Sequence, residues 1–197
     1  MIQGIVLAAG RSRRMGTAKA LLEIDGESFL ALAVDALRAG GCASVVVVVG
    51  VDEAADRIAR AAEALGAHIV RNGQEGAEQI DSLRLALAAL DPAAEAAVVL
   101  PVDFPRVRAA TVAKLCEAFR VRRAPVVVPV AGGELGHPTL FARAVFAELR
   151  AGPLAEGART VVAAHVHDRL EVPVDDAAIL RDVDTPADYV RLLEGAP

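Results

Sequence analysis

Short apolar runs alternate along the chain with longer stretches in which apolar positions recur at helical spacing. The short runs fall at 5–8, 45–49, 68–70, 97–100 and 126–130 and are rich in β-branched side chains. Unbroken apolar runs of that length suit strands buried on both faces. Between them, 29–38, 54–65, 82–90 and 111–122 carry the three-to-four spacing of one-sided helices. Gly40, Gly41 and Gly66 supply stop signals for two of these helices. Strands joined by crossovers of about a dozen residues or more pair in parallel. The pattern therefore predicts an α/β fold: a mostly parallel sheet with helices on both faces.

After Val130 the rhythm changes. Gly132 and Gly133 form a turn, and Gly136-His137-Pro138-Thr139-Leu140-Phe141 restarts an extended segment. Helices are expected at 142–149 and 158–164, a late strand at 170–172, and an aspartate-rich loop at 175–184. A closing helix starts at Pro186, a good first helical residue. No internal repeat, low-complexity segment or linker interrupts the chain, and 197 residues fit a single domain spanning 1–197.

Composition removes several function classes. At 54% hydrophobic the chain is not disordered, yet no apolar stretch approaches the ~20 residues of a membrane span. Asp+Glu 26 exceed Lys+Arg 21, and there are no tryptophans, one tyrosine and five phenylalanines. That is not the basic, aromatic-studded surface of a nucleic-acid binder. Cys42 and Cys116 lie far apart without a CxxC pair, so neither a disulfide framework nor a zinc site is indicated, and both are expected as small buried hydrophobes. The arginines follow the first apolar run instead of preceding it, the wrong order for a signal peptide, so a cytoplasmic location is expected.

Ligands of open α/β sheets sit outside the carboxyl ends of the strands. Following the first strand is Leu7-Ala8-Ala9-Gly10-Arg11-Ser12-Arg13-Arg14-Met15-Gly16-Thr17-Ala18-Lys19. Small residues there let a ligand approach the backbone, loop N–H groups can cradle phosphates, and Arg11, Arg13, Arg14 and Lys19 surround them with cations. The spacing is neither a Walker A loop nor GxGxxG. Only Lys19 and Lys114 are lysine in this arginine-rich chain, which suggests that a compact ammonium suits position 19. Pro101-Val102-Asp103-Phe104-Pro105 follows the fourth strand, where Asp103 is placed either to hold Mg2+ against a phosphate or to cap the next helix. Asp182 and Asp184 alternate, so both point to one face of an extended segment. Thr185 is the expected N-cap, leaving Asp184 for other work, while Asp182 is expected to brace the loop by accepting backbone N–H bonds. His165 and His167, two apart but without a further ligand cluster, read as surface or packing residues. His137, between Gly136 and Pro138, lies in a rigid loop near the cleft.

These residues resemble a known family. Leu7 to Leu22 resembles the signature loop of the MobA-like nucleotidyltransferases, of GT-A-type fold (Rossmann-like, nucleotide-diphospho-sugar transferase type). Asp103-Phe104-Pro105, Gly136-His137-Pro138 and Asp182-Val183-Asp184-Thr185-Pro186 resemble its later motifs in the right order, the whole pattern being most like molybdenum cofactor cytidylyltransferases. The resemblance implies a catalytic set of Arg14, Lys19 and Asp103, with Arg14 and Lys19 on the triphosphate. It places Mg2+ on Asp103 and Asp184, and Leu7, Ala8, Ala9, Gly10, Ser12, Asn72 and Ser82 around the nucleotide. His137 and Asp182 would line the acceptor site. Implied partners are a nucleoside triphosphate, a phosphorylated acceptor of molybdopterin type, and a molybdoenzyme or its chaperone to which the protein docks. Guanylyl-transferring relatives usually show Leu-Ala-Gly-Gly, so Ala9 leans toward CTP. Cytidylyl-transferring relatives often carry Gly-Met-x-Ser-Ser-Leu, whereas this chain has Gly76-Ala77-Glu78-Gln79-Ile80-Asp81-Ser82-Leu83. The rival readings are guanylyl transfer to molybdopterin, nucleotidyl transfer to a sugar phosphate, a noncatalytic carrier of the finished cofactor, and a dinucleotide oxidoreductase.

Overall fold

The computed structural model describes residues 1–10, 15 and 17–195. In chain order the main elements are β1 (Ile2–Leu7), the hairpin β2 (Glu23–Ile24) and β3 (Glu27–Ser28), α1 (Phe29–Ala39), β4 (Val45–Val49), α2 (Glu53–Ala64), β5 (His68–Arg71), α3 (Gln79–Ala89), β6 (Ala96–Pro101) and α4 (Ala109–Arg122). The second half adds β7 (Val126–Ala131), β8 (Glu134–Leu135), β9 (Thr139–Ala142), α5 (Phe146–Arg150), α6 (Ala158–Ala164), β10 (Leu170–Pro173) and α7 (Pro186–Leu193). One sheet runs β10-β7-β9-β6-β1-β4-β5, with β8 paired to β7. The sheet is mostly parallel, as the crossover lengths imply, but it is mixed: β9 runs antiparallel to both β6 and β7.

Each strand divides its side chains between two cores, because successive residues point to opposite faces. Val45, Val47 and Val49 of β4 pack with Phe29, Leu30 and Leu37 of α1 on one side. Val46 and Val48 pack with Leu83 and Leu87 of α3 on the other. Five consecutive valines are therefore a two-faced strand, and each buried valine contributes about 1.5–3 kcal/mol over its exposed state. Gly4 sits opposite Val45 in the ladder, and a Cβ there would come within 3.0 Å of Leu37 and 3.2 Å of Val45. Its bare backbone lets α1 close on the sheet. Cys42 and Cys116 are both buried and free, and a hydrogen bond between the two thiols heads the causes that push Cys42 well above the ordinary thiol range.

The departures from the sequence reading have local causes. β1 begins at Ile2, three residues early, because the buried Gln3 is satisfied from both ends: its amide donates to Ser44 Oγ (2.5 Å) and its carbonyl accepts from Asp91 N (2.8 Å). α3 begins at Gln79 because Asp81 accepts from Glu78 N (3.0 Å), a cap that extends the helix upstream of Ser82. The helix expected over 142–149 is replaced by the end of β9, a 3-10 turn (Arg143–Val145) and the short α5. Ala142 N is held in extended backbone by Pro125 O (2.9 Å).

Three long-range contacts shape the region beyond the strands' carboxyl ends. Buried Asp176 accepts from Arg108 N (3.0 Å) and Thr111 Oγ1 (2.6 Å), tying the aspartate-rich loop to the start of α4. Val183 N donates to Asp103 O (2.9 Å), which lays that loop alongside the segment after β6. Gly136 lies so close to Ile179 that a Cβ would meet its carbonyl oxygen at 2.4 Å. Any side chain there would push the His137 segment off the loop.

Candidate active site

A cleft of about 790 Å³ opens at the carboxyl ends of β1, β4, β5 and β6, within the size range of small-molecule sites. Leu7, Ala8, Ala9, Gly10, Lys19, Asn72, Ser82 and Asp103 all line it. Ala8 N donates to Val48 O (2.9 Å), which continues β1's pairing to the lip of the cleft. Asn72 and Ser82 are both buried. The Asn72 amide donates to Ser82 Oγ (2.9 Å) and its carbonyl accepts from Gln74 N (3.1 Å), fixing the wall after β5. The expected Ser12 and Arg14 lie outside the described residues.

Lys19 opens a 3-10 turn (Lys19–Leu21) whose backbone is closed by Leu22 N donating to Lys19 O (3.0 Å). Its ammonium reaches Asp184 Oδ1 at 2.5 Å and Asp103 Oδ2 at 3.7 Å. The bond from Val183 to Asp103 explains why Asp184 is there. Val183 is buried in the core, so its neighbours Asp182 and Asp184 both turn the other way, as alternation requires. Thr185 caps α7, accepting from Asp188 N (3.2 Å), while Asp188 accepts from Thr185 N (2.7 Å). That capping box anchors the backbone next to Asp184.

Asp103, Asp182 and Asp184 each offer a carboxylate oxygen, and the three oxygens lie within 4.8 Å of one another. Asp103 Oδ1 is buried without a hydrogen-bond partner. Burial pushes the Asp103 carboxyl above the usual range; Lys19 opposes that, and Asp184 and Asp182 add to it. An all-oxygen donor set with an unsatisfied buried oxygen fits a hard divalent cation such as Mg2+. The brace expected of Asp182 is corrected: among the described residues its exposed side chain accepts no hydrogen bond, and it faces the other two carboxylates.

His137 lies beside this group. Its ring packs against Phe104 (centroids 4.7 Å apart), its backbone N–H donates to Ile179 O (2.9 Å), and its ring Nδ1 is buried without a partner among the described residues. Burial, with a smaller push from Arg159, lowers its pKa to about 4, so it is a neutral imidazole near pH 7. His165 lies instead between Glu148 and Asp168, and His167 and His68 are exposed. Sequence reasoning missed Gly50-Val51-Asp52 after β4 and Gln74-Glu75 after β5, whereas Gly76 to Gln79 belong to the stretch already set beside the cytidylyl motif. The rule that ligands meet strand carboxyl ends points to both, since it applies to every parallel strand.

Comparison with known proteins bears on the family and the fold. Residues 4–170 match the MobA-like NTP transferase domain. A probable molybdenum cofactor guanylyltransferase of Opitutus terrae is 37% identical over 128 residues, which are 64% of this chain and 59% of that protein. The crystal structure of Rv0371c from Mycobacterium tuberculosis H37Rv superposes with a TM-score of 0.87 at 34% identity, covering 98% of each chain. Its complex with manganese gives a TM-score of 0.82 at 34% identity over 99% of each. The chain belongs to the MobA-like NTP transferase domain family.

Proposed function

We propose that this member of the family transfers a nucleoside monophosphate from a nucleoside triphosphate to a phosphorylated acceptor of molybdopterin type, releasing pyrophosphate. The observation that carries the reading is the Asp103, Asp182 and Asp184 cluster, with Lys19 among it, whose Asp103 and Lys19 line the same cleft as the small residues after β1. An acceptor phosphate oxygen attacks the α-phosphorus in line, and the bond from that phosphorus to the bridging α–β oxygen breaks, leaving with pyrophosphate. Phosphate nucleophiles are ionised at neutral pH, so no protein base is required. The chain's task is to bring two anions together and to stabilise charge in the transition state. Backbone N–H groups around Ala9 and Gly10, with Arg14 and Lys19, hold the phosphate chain. Asp103 and Asp184 would hold Mg2+, which supplies neutralisation of the phosphoryl oxygens when bound. Neutral His137 and Asp182 line the acceptor side, where His137 acts through hydrogen bonding.

Ala9 supports CTP as donor, whereas the name of the Opitutus terrae relative favours GTP. Pyrophosphate release from each of the four nucleotides, with and without molybdenum-loaded molybdopterin, tests both the class and the base. The expected result is acceptor-dependent release, largest with CTP, and a loss of at least roughly tenfold in Lys19→Ala, which forfeits a charge-assisted contact. Ligand binding without pyrophosphate would leave a carrier and end the transferase reading.

A further inference from the structure

Lys19 occupies the acidic cluster instead of facing only the phosphate side. Its two carboxylate contacts, to Asp184 and Asp103, are with two of the three residues that would hold a divalent ion, and its side chain is only 13% exposed. Three carboxylates whose oxygens converge within 4.8 Å repel one another at any pH where they are ionised. The cluster therefore needs a cation whether or not metal is present. A tethered ammonium supplies one at high local concentration, independent of the metal in solution. Lysine suits this use better than arginine. It is a compact point charge on a flexible stem, able to sit where an ion sits and to swing away, whereas a guanidinium is a rigid planar fork. The 3-10 turn fixes the Lys19 backbone, so only the side chain has to move.

We propose that Lys19 is a built-in stand-in for the divalent ion: it competes with free metal for Asp103 and Asp184, and an arriving phosphate chain draws it off so that metal and nucleotide are taken up together. The proposal deepens the nucleotidyl-transfer reading and rests on it for the identity of the acidic site. It gives a sharp signature: removing Lys19 strengthens metal binding in the nucleotide-free protein while weakening nucleotide binding. A lysine that served only the phosphates would show the second effect alone.

The test is Mn2+ binding to nucleotide-free full-length protein, read from the electron paramagnetic resonance signal of free Mn2+. Lys19→Met, which keeps the stem and removes the charge, is expected to bind Mn2+ roughly tenfold or more tightly than the wild type, the scale of one charge-assisted contact. Equal or weaker binding overturns the stand-in role. Asp103→Asn and Asp184→Asn should lose the Mn2+ site. If both retain it, the acidic cluster is not the metal site, and that part of the functional reading falls whatever Lys19 does. A second measurement leaves the site unaltered. The chain has only two lysines, Lys19 and Lys114, so Lys114→Arg leaves one side-chain signal in protein carrying 13C/15N-lysine. Mg2+ alone, and inorganic tripolyphosphate alone, should each shift that signal. A Lys19 resonance unmoved at saturating Mg2+ would show that no competition exists.

Discussion

At the scale of single residues, the site places chemistry against stability. Asp103 is pushed above the usual carboxyl range chiefly by burial, with Lys19 pulling the other way and Asp184 and Asp182 adding repulsion. A raised carboxyl means that the folded protein holds the proton more readily than the unfolded chain. Its effect therefore favours the fold at low pH and turns against it as pH rises through the raised value. At neutral pH the ionised Asp103 costs stability. Asp103→Asn is thus expected to reduce pyrophosphate release at least roughly a hundredfold while its Tm at pH 7 equals or exceeds that of the wild type. Calorimetry decides: a fall of several degrees would mean that the pairing with Lys19 holds the fold together. That Asp103 and Lys19 would share a cleft was legible in the sequence because a strand end braced by prolines and a rare lysine are local signals. The surroundings of Asp182 were not, because the absence of a backbone partner is a property of the folded loop.

At the scale of elements, one imidazole links α5 to the end of α6, beside the apolar packing of Phe146, Leu149 and Val161. His165 ends α6 and meets Asp168 through Nδ1 (3.0 Å) and Glu148 of α5 through Nε2 (3.1 Å). Burial lowers its pKa, but the hydrogen bonds to Asp168 and Glu148 outweigh that and raise it above the ordinary histidine value. The stabilisation is full below the unfolded pKa of about 6.5 and is lost as pH rises through the raised one. His165→Gln should therefore lower Tm most near pH 6 and progressively less toward about pH 9, with pyrophosphate release unaffected at each pH. A constant difference across that range would show that packing, and not charge, holds α5 to α6. His137 has the opposite sign, its lowered pKa making the fold more sensitive to acid. The central strands β1, β4 and β6 were legible because continuous apolar runs identify two-faced burial, whereas β5, at the sheet edge, is only partly buried. α5 was not legible, since the helical spacing over 142–149 is silent about Ala142 being claimed by the sheet. Likewise Asp81 caps α3 and pairs with Arg84 (3.3 Å), neither visible from spacing alone.

For the molecule as a whole, the parallel half of the sheet and its two helical layers could be read from rhythm, but the place of β9 could not. A threonine and three apolar residues fit an edge or a centre equally well, and only the ladder sets Thr139–Ala142 between β6 and β7. Among the described residues no helix is long and apolar enough to cross a membrane. That order has a consequence for the chain during its synthesis. The ribosome delivers β6 and β7 before the strand that separates them, so two valine-rich strands of the same direction emerge with their true neighbour still missing. Direct pairing of the two is a ready error, and undoing it means parting a formed ladder, which makes the nascent chain a candidate for kinetic trapping and aggregation. A chain ending after Pro138 is expected to scatter light on dilution from denaturant, whereas one carried through α5 should recover solubility. The latter gains only the four residues of β9 and the short helical cover behind them. If both fragments behave alike, the insertion is not the step that guards folding. If they differ, productive folding waits until Thr139–Ala142 has emerged from the ribosome.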